Sequence, residues 1–236
     1  MKVLIMGATG MVGRGALREC LADPEVTNVV TVGRTNSGQQ DSKLHEIVHA
    51  NLLDYSGLES ELSGFDACFF CLGKSSAGLS EQEYRRVTFD IALAAGRTLA
   101  RLNPQMTFIY ISGAGTDSTE AGGTMWARVK GQTENALLAL PFKAAYMLRP
   151  GVIQPMHGIK SKTRSYRILY SAAALLLPAL RSLFPNHVTT TEKLGRVMIS
   201  LVKRGYAKPI LESRDINAVV EEERGVREIG RPNRLH

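Results

Sequence analysis

The chain opens with the apolar run KVLIM at residues 2–6, which continues directly into GATGMVG at residues 7–13. A short apolar run bounded by glycine predicts a buried strand, and the helix-forming residues that follow predict a helix. Glycines three residues apart allow a tight turn at Gly7, a close approach to the backbone at Gly10 and close helix packing at Gly13. This order predicts a cradle for the pyrophosphate of a dinucleotide at a helix N-terminus, the alternative being a plain strand-to-helix turn. The contacts expected from this turn involve Gly7, Thr9, Gly10, Met11, Val12 and Gly13.

Strands and helices alternate through the first two thirds of the sequence. This alternation predicts an α/β fold, a Rossmann-type doubly wound parallel sheet with helices on both faces. The predicted strands are 2–6, 27–32, 45–48, 66–71, 106–111 and 144–148. The predicted helices are 11–22, 55–62, 80–102 and 124–140.

Beyond residue 151 the alternation is predicted to stop. The rest of the chain combines a basic loop at 160–167, an apolar helix at 168–177, a helix capped by Thr189 with Glu192, and a strand at 209–212. A chain of 236 residues with 44% hydrophobic content favours one core over two. We therefore predict a single domain, with a dinucleotide-binding core at 1–155 and a small C-terminal substrate lobe at 156–236 that covers the ligand crevice.

The net charge of +7 bears on the partners of the protein. The basic residues are scattered, with no run of five like charges, so we predict an anionic small-molecule ligand and no nucleic acid. The apolar stretch 168–177 is too short to span a bilayer. It is interpreted as a helix on the substrate lobe or at a subunit contact, with membrane-surface attachment as the less favoured alternative, and the expected state is a monomer or homodimer.

The cysteines and the N-terminus predict a cytoplasmic protein. The glycines at residues 7–13 and Arg14 interrupt any secretory signal, and an odd number of cysteines, three, fits a reducing compartment. Cys68 and Cys71 form a C-x-x-C pattern inside a predicted strand. Residues three apart on a strand point to opposite faces, so these are predicted to be core cysteines and no metal site is expected.

The end of the second strand predicts which dinucleotide is bound. An acid at this point binds a free ribose 2′-hydroxyl, whereas a basic group accommodates a 2′-phosphate. The segment VGRT at 32–35 offers Arg34 and no acid, so NADP(H) is favoured over NAD(H), the alternative being a surface arginine in a turn. After the third strand, Asn51 and Leu52 are expected to contact the edge of the adenine ring. At the end of the fourth strand, Cys71, Leu72 and Gly73 are expected to lie beside the cofactor ribose.

With the segments IYIS at 109–112 and LRPG at 148–151, these motifs resemble the atypical short-chain dehydrogenase/reductases of the NAD-dependent epimerase/dehydratase-like branch. The resemblance covers roughly residues 1–155. It implies an oxidoreductase or epimerase in which Ser112 binds the substrate oxygen and Lys130 holds the nicotinamide ribose. It also implies that Pro150 and Gly151 lie beside the cofactor.

The sequence departs from this family at one catalytic position. The family has a tyrosine four residues before the lysine, where this chain has Trp126. An indole N–H donates but does not titrate near neutral pH, so Trp126 cannot act as the general acid or base. The residues weighed as substitutes, each with a plainer structural role, are Tyr110, His157, Tyr166 and Tyr170.

The sequence is compatible with two functions from different classes. The first is an NADP(H)-dependent oxidoreductase or epimerase-like enzyme acting on a small carbonyl or sugar-derived substrate. The second is a catalytically silent NADP(H)-binding sensor or interaction protein. Retention of Ser112 and Lys130 favours the first, and Trp126 favours the second.

Overall fold

The computed structural model describes residues 1–159 and 187–220. Seven parallel strands form the main sheet: β1 (Lys2–Met6), β2 (Asn28–Gly33), β3 (Leu44–Val48), β4 (Ala67–Phe70), β5 (Thr107–Ile111), β6 (Ala144–Arg149) and β9 (Ile210–Glu212). Their order across the sheet is β3-β2-β1-β4-β5-β6-β9. A second, two-stranded parallel sheet pairs β7 (Val152–Gln154) with β8 (Val188–Thr190).

Helices cover both faces of the main sheet, as predicted for a doubly wound fold. They are α1 (Met11–Ala22), α2 (Glu81–Arg85), α3 (Ile91–Leu102), α4 (Met125–Leu138) and α5 (Thr191–Arg204). A π-helical turn, Arg86–Asp90, joins α2 to α3, and residues 213–220 are also helical. One hydrophobic core lies between the sheet and α1 and α5, and a second lies under α3 and α4.

The six strands predicted in the first two thirds of the chain are confirmed, with their ends displaced by at most one residue. The helix predicted at 80–102 is also confirmed, and it begins after Ser80, which caps it in a capping box with Glu83. The helix predicted at 55–62 is wrong, because the structure has only a short 3₁₀ turn at Ser56–Leu58. Glycine and serine within this short segment disfavour a helix interior.

The C-terminal part continues the α/β alternation, contrary to the prediction that it stops after residue 151. β9 pairs in parallel with β6, and α5 packs against α1. The cap of α5 is Thr190, one residue later than predicted, because its hydroxyl rather than that of Thr189 accepts the Lys193 N–H. The predicted basic loop at 160–167 and apolar helix at 168–177 lie outside the described residues.

α1 and α5 approach closely because a glycine of each helix lies at the crossing. A Cβ on Gly15 would lie 2.5 Å from the Thr191 carbonyl oxygen, and one on Gly195 would lie 3.0 Å from the Gly15 oxygen. Real Cβ atoms essentially never approach a backbone oxygen within 2.5 Å, so the crossing requires glycine. The C-terminal helix is thereby held on the helix that follows the glycine turn.

Candidate functional site

The glycine turn adopts the geometry expected of a phosphate cradle. Gly7 has a φ of +88°, and a Cβ there would lie 2.8 Å from the Cys71 carbonyl carbon and the Leu72 nitrogen. Both the backbone angle and the close approach of the fourth strand therefore require glycine. The N–H of Gly10 donates to the Gly7 oxygen at 3.0 Å, and a Cβ on Gly13 would lie only 2.1 Å from that same oxygen.

The N-terminus of α1 is open to an anion. Gly10 occupies the cap position and offers no side chain, and the first turn of the helix holds no acid. The first-turn N–H groups, those of Met11 and Val12 included, point beyond the helix end, where a phosphate can accept from them. A negative group there is also stabilised by the helix dipole.

Two pockets that share Arg34, Leu52 and Leu72 form one cleft beside this turn. We call it the cofactor cleft. Its smaller part, about 350 Å³, adjoins Gly7 and Thr9, and its larger part, about 880 Å³, extends past Asn51 and Gly73. The cleft lies outside the carboxyl ends of β1, β2 and β4, where the order of the sheet reverses. Ligands of doubly wound folds bind at this point.

The cofactor cleft is basic, and sequence analysis found only part of that charge. Arg34 lies in both pockets, and Lys74 and Arg86 line the larger one, whereas no lining residue of either pocket is an acid. The sequence did not single out Glu46, which accepts from the hydroxyl of Thr31 in β2 and from the N–H of Ser37. Both of these hydrogen bonds are made to its Oε2 oxygen.

Ser112 directly follows β5 and is 8% exposed. Its N–H donates to the Leu148 oxygen at 2.8 Å, and its hydroxyl lies 2.9 Å from the Thr116 hydroxyl. The Thr116 proton is already donated to the Gly113 oxygen at 2.8 Å, so Ser112 is the donor of this pair. Its hydroxyl proton must turn away from Thr116 before it can bind another oxygen.

Lys130 projects from α4 to the same end of β5. Its ammonium donates to the Tyr110 hydroxyl and to the Ile111 oxygen, both at 3.4 Å, and lies 5.1 Å from the Tyr110 ring centre. Burial lowers the pKa of Lys130 to about 8, and the Glu134 carboxylate one turn later opposes this shift. The structure therefore brings the amine of Lys130 to the residue that precedes Ser112.

Trp126 lies one turn before Lys130 and is partly buried. A Cβ on Gly115, in the loop that follows Ser112, would lie 3.4 Å from the indole ring. The indole N–H has no hydrogen bond to any described residue. The structure thus groups Trp126 with Ser112 and Lys130 around one loop.

Pro150 and Gly151 border this loop from the end of β6. The Pro150 oxygen accepts from Ala114 at 2.9 Å. The N–H of Gly151 donates to the Ser213 hydroxyl at 2.6 Å, and a Cβ there would lie 2.7 Å from the His187 oxygen. Gly151 therefore has a close-packing role here, and its contact with the cofactor stays a prediction.

A buried charge network behind this loop was not found by sequence analysis. Arg149, at the end of β6, forms an ion pair with Glu134 of α4. The side chain of Glu134 is fully buried. The same guanidinium donates to Glu212 at 3.1 Å and to the Ser118 hydroxyl at 2.5 Å. The hydrogen bond that Arg149 donates to Glu134 raises the pKa of Arg149, so the guanidinium stays charged.

The residues weighed as replacements for the missing tyrosine have other partners. Tyr110 is 1% exposed and its ring lies 5.9 Å from that of Phe70, so it is a packed sheet residue. The hydrogen bond from His157 to Glu192, 2.9 Å long, lowers the pKa of that carboxyl. Tyr166 and Tyr170 lie outside the described residues.

The cysteines lie as predicted. Cys68 is fully buried in one core, and Cys71 packs against the other, on the opposite face of the sheet. Burial raises the pKa of Cys71 to about 12, which keeps its thiol neutral. Within residues 1–159 and 187–220, no group of three or more His, Cys, Asp or Glu side chains is arranged to hold a metal ion, and no helix is long and apolar enough to cross a bilayer.

The sheet order and the glycine turn define a Rossmann fold, and the basic cleft lies where such folds bind a dinucleotide. The sequence matches the model of an NAD(P)H-binding family over residues 7–145, and the chain belongs to that family. A short chain dehydrogenase family protein from Francisella tularensis has the same fold, with a TM-score of 0.64, 14% identity, and coverage of 89% of this chain and 95% of that one. Solved UDP-sugar epimerases share it too.

Eukaryotic relatives are similar to about two thirds of the chain. The mitochondrial protein fmp52 of Emericella nidulans is 30% identical over 158 residues, which cover 64% of this chain and 66% of the fungal protein. The HTATIP2 protein of Rattus norvegicus is 27% identical over 154 residues, which cover 64% of this chain and 62% of the rat protein. The matched segment thus spans slightly less than two thirds of each relative.

Proposed function

We propose that the protein is an NADP(H)-dependent oxidoreductase or epimerase-like enzyme that acts on a small carbonyl or sugar-derived substrate. The observation that carries the proposal is the cofactor cleft, which joins the glycine turn to Arg34 without an acid in its lining. An acid-free, basic cleft at the end of β2 favours a ligand that carries a phosphate on its adenosine ribose. When bound, NADP(H) would supply hydride transfer.

The residues of the glycine turn fit this cofactor. The positive φ of Gly7 and the missing Cβ at Gly13 bring strand and helix together, so that the N-terminus of α1 faces the cleft. In the proposal the pyrophosphate accepts from the N–H groups of Met11 and Val12. Arg34 then pairs with the 2′-phosphate through its planar guanidinium.

The proposed chemistry at the other end of the site rests on Ser112 and Lys130. The Ser112 hydroxyl, now donated to Thr116, turns to donate to the substrate oxygen. Lys130 binds the nicotinamide ribose, which replaces its long hydrogen bonds to Tyr110 and Ile111. Trp126 supplies no proton in this scheme, so water supplies the proton that the substrate oxygen takes up on reduction, and the loss of positioned proton transfer costs about 10²- to 10⁴-fold in rate.

The cofactor proposal is tested by calorimetric titration of the protein with NADPH and with NADH. We expect tighter binding of NADPH, and we expect Arg34→Ala to remove most of the difference because NADH has no phosphate for this guanidinium. Arg101→Ala is the matched control, since that exposed arginine pairs with Glu59 outside the cleft. Equal affinities of the unmodified protein for both cofactors would refute the NADP(H) preference.

Trp126 favours a second function, a catalytically silent NADP(H)-binding sensor or interaction protein. The two functions differ in the outcome of Trp126→Tyr, which restores a titratable hydroxyl one turn before Lys130. A rise in NADPH-dependent reduction of a panel of small aldehydes and ketones would support the enzyme. A protein that binds NADPH but reduces no member of the panel, before or after the substitution, supports the sensor.

The partners and location are also proposals. We infer a small-molecule substrate, no nucleic acid partner, and a monomer or homodimer, which light scattering measures. The cytoplasm is the location that the sequence predicts, whereas the Emericella nidulans relative is named as mitochondrial. Cell fractionation with an antibody to the chain distinguishes the two compartments.

A further inference from the structure

The larger part of the cofactor cleft holds more positive charge than Arg34 alone provides. Lys74, in the loop after β4, and Arg86, the first residue of the π-helical turn, line it as well. Three cations and no acid therefore face one cavity of about 880 Å³. Like charges in one cavity repel each other, so this arrangement is unfavourable until an anion enters.

Arg86 differs from its neighbour in the chain. Arg85 donates to the Gln132 side chain and lies 3.9 Å over the ring centre of Phe89. The guanidinium of Arg86 is exposed and has no hydrogen bond or ion pair with any residue in the described ranges. Two consecutive arginines are thus used differently, one for packing against α4 and one to line the cleft.

Arg86 lines the cleft from the first residue of the π-helical turn. Successive helical side chains point about 100° apart, so Arg86, two residues after Tyr84, lies on the opposite side of the helix. Tyr84 and Thr88 face the interior of the protein, while Arg86 and Val87 line the cavity. π-turns inside α-helices occur frequently at functional sites.

We propose that Arg86, assisted by Lys74, forms with Arg34 a subsite for the 2′-phosphate of the cofactor. The inference rests on the proposed function, because it assigns the residues that select NADP(H) within the same cleft. A 2′-phosphate carries close to two negative charges and three acceptor oxygens, enough for more than one guanidinium. Arg34 approaches it from the end of β2, and Arg86 from the helix that follows β4.

A competing role for Arg86 is stacking on the adenine ring, which a guanidinium also does well. The two roles have different consequences. Loss of a phosphate contact weakens only ligands that carry the 2′-phosphate. Loss of a stacking contact weakens NADPH and NADH alike, because both contain adenine.

The test measures dissociation constants for four ligands with the full chain. NADPH and adenosine 2′,5′-bisphosphate carry the 2′-phosphate, whereas NADH and adenosine 5′-monophosphate lack it. For Arg86→Gln we expect about a tenfold or greater loss of affinity for the first pair and less than a twofold change for the second. Arg85→Gln, the matched control, leaves all four constants unchanged.

The outcomes separate this inference from the proposed function. If the unmodified protein binds NADPH and NADH equally, the proposed NADP(H) preference fails. If it prefers NADPH and Arg86→Gln keeps that preference, the assignment of Arg86 is overturned while the proposed function stands. Equal losses of affinity for NADPH and NADH would also overturn the assignment of Arg86 to the phosphate, and would indicate that Arg86 stacks on adenine.

A second variant guards against a folding defect in the first. If circular dichroism shows that the Arg86→Gln protein is unfolded, the Lys74→Gln variant tests the subsite instead. Lys74 is exposed in a loop, so its substitution should leave the fold intact. We expect a smaller loss, severalfold, restricted to the ligands with a 2′-phosphate. Unchanged binding of adenosine 2′,5′-bisphosphate to a folded Lys74→Gln protein would contradict the three-cation subsite.

Discussion

Arginine side chains have opposite surroundings in the cofactor cleft and in the charge network behind β6. In the cleft, Arg34 and Arg86 face an open cavity without a carboxylate. Behind β6, Arg149 is 8% exposed and is held by Glu134, Glu212 and Ser118. Arg149 is held by protein partners, whereas no described residue forms a hydrogen bond or ion pair with Arg34 or Arg86, which leaves their donors free for the proposed anionic ligand.

The largest effect expected from this difference is a loss of stability in the Glu134→Gln variant. The amide keeps the volume of the side chain but leaves the buried Arg149 without its main counter-charge, at a cost of about 3 kcal/mol in the free energy of unfolding. Urea denaturation measures this cost. Glu59→Gln, which breaks the exposed pair with Arg101, should cost less than about 1 kcal/mol. Equal costs for the two variants would show that burial of the Arg149 pair has no special weight.

An intermediate effect, on binding rather than stability, is expected for Gly10→Ala. A Cβ at Gly10 would lie 3.3 Å from the Gly7 oxygen, so the fold tolerates it at a cost below about 1 kcal/mol. The methyl group stands where the pyrophosphate approaches, and NADPH affinity should fall about tenfold or more. Gly123→Ala is the control, because a Cβ there meets no atom within 4 Å. Retained affinity in a folded Gly10→Ala protein would refute the cradle.

The smallest effect concerns the pH dependence of stability through Lys130. Burial lowers its pKa from the ordinary value of 10.5 to about 8, so between these pH values the unfolded chain binds more protons than the folded one. Stability therefore rises with pH across this window. Lys130→Met should remove about 1 kcal/mol of this rise, because partial exposure of the side chain screens the full effect.

Urea denaturation at pH 7.5, 9 and 10 checks this expectation for the unmodified protein and the Lys130 variant. Lys74→Met serves as the control, because Lys74 is exposed. A rise of the same size in all three proteins would show that the amine of Lys130 is solvated.

The first strand and the helix after the glycine turn were predicted well from the sequence because their signals are local. The spacing of Gly7, Gly10 and Gly13 fixes a strand, a turn and a helix within a dozen residues. Residues that follow predicted strands, such as Arg34 and Asn51, then fall at the edge where parallel strands end. The positions of the strand ends were sufficient to predict that Arg34 and Asn51 lie at the same edge of the sheet.

The features that were missed depend on contacts between distant residues or on helix register. Glu134 and Arg149 are fifteen residues apart, on a helix and a strand, and nothing in the local pattern pairs them. Arg86 lies on the outward face of the helix after β4, and the local pattern does not show that this face lines the cleft. β9 looks like an isolated short strand in the sequence and belongs to the sheet only through its pairing with β6.

The glycine crossing of α1 and α5 has a consequence for the order of events during protein synthesis. Leu17 and Cys20 of α1 share a core with Leu194 and Met198 of α5, about 180 residues later in the chain. When only the first two thirds of the chain have left the ribosome, these apolar side chains of α1 are not yet covered by α5. The core around α1 is therefore completed late in translation, and until then its exposed apolar surface favours aggregation.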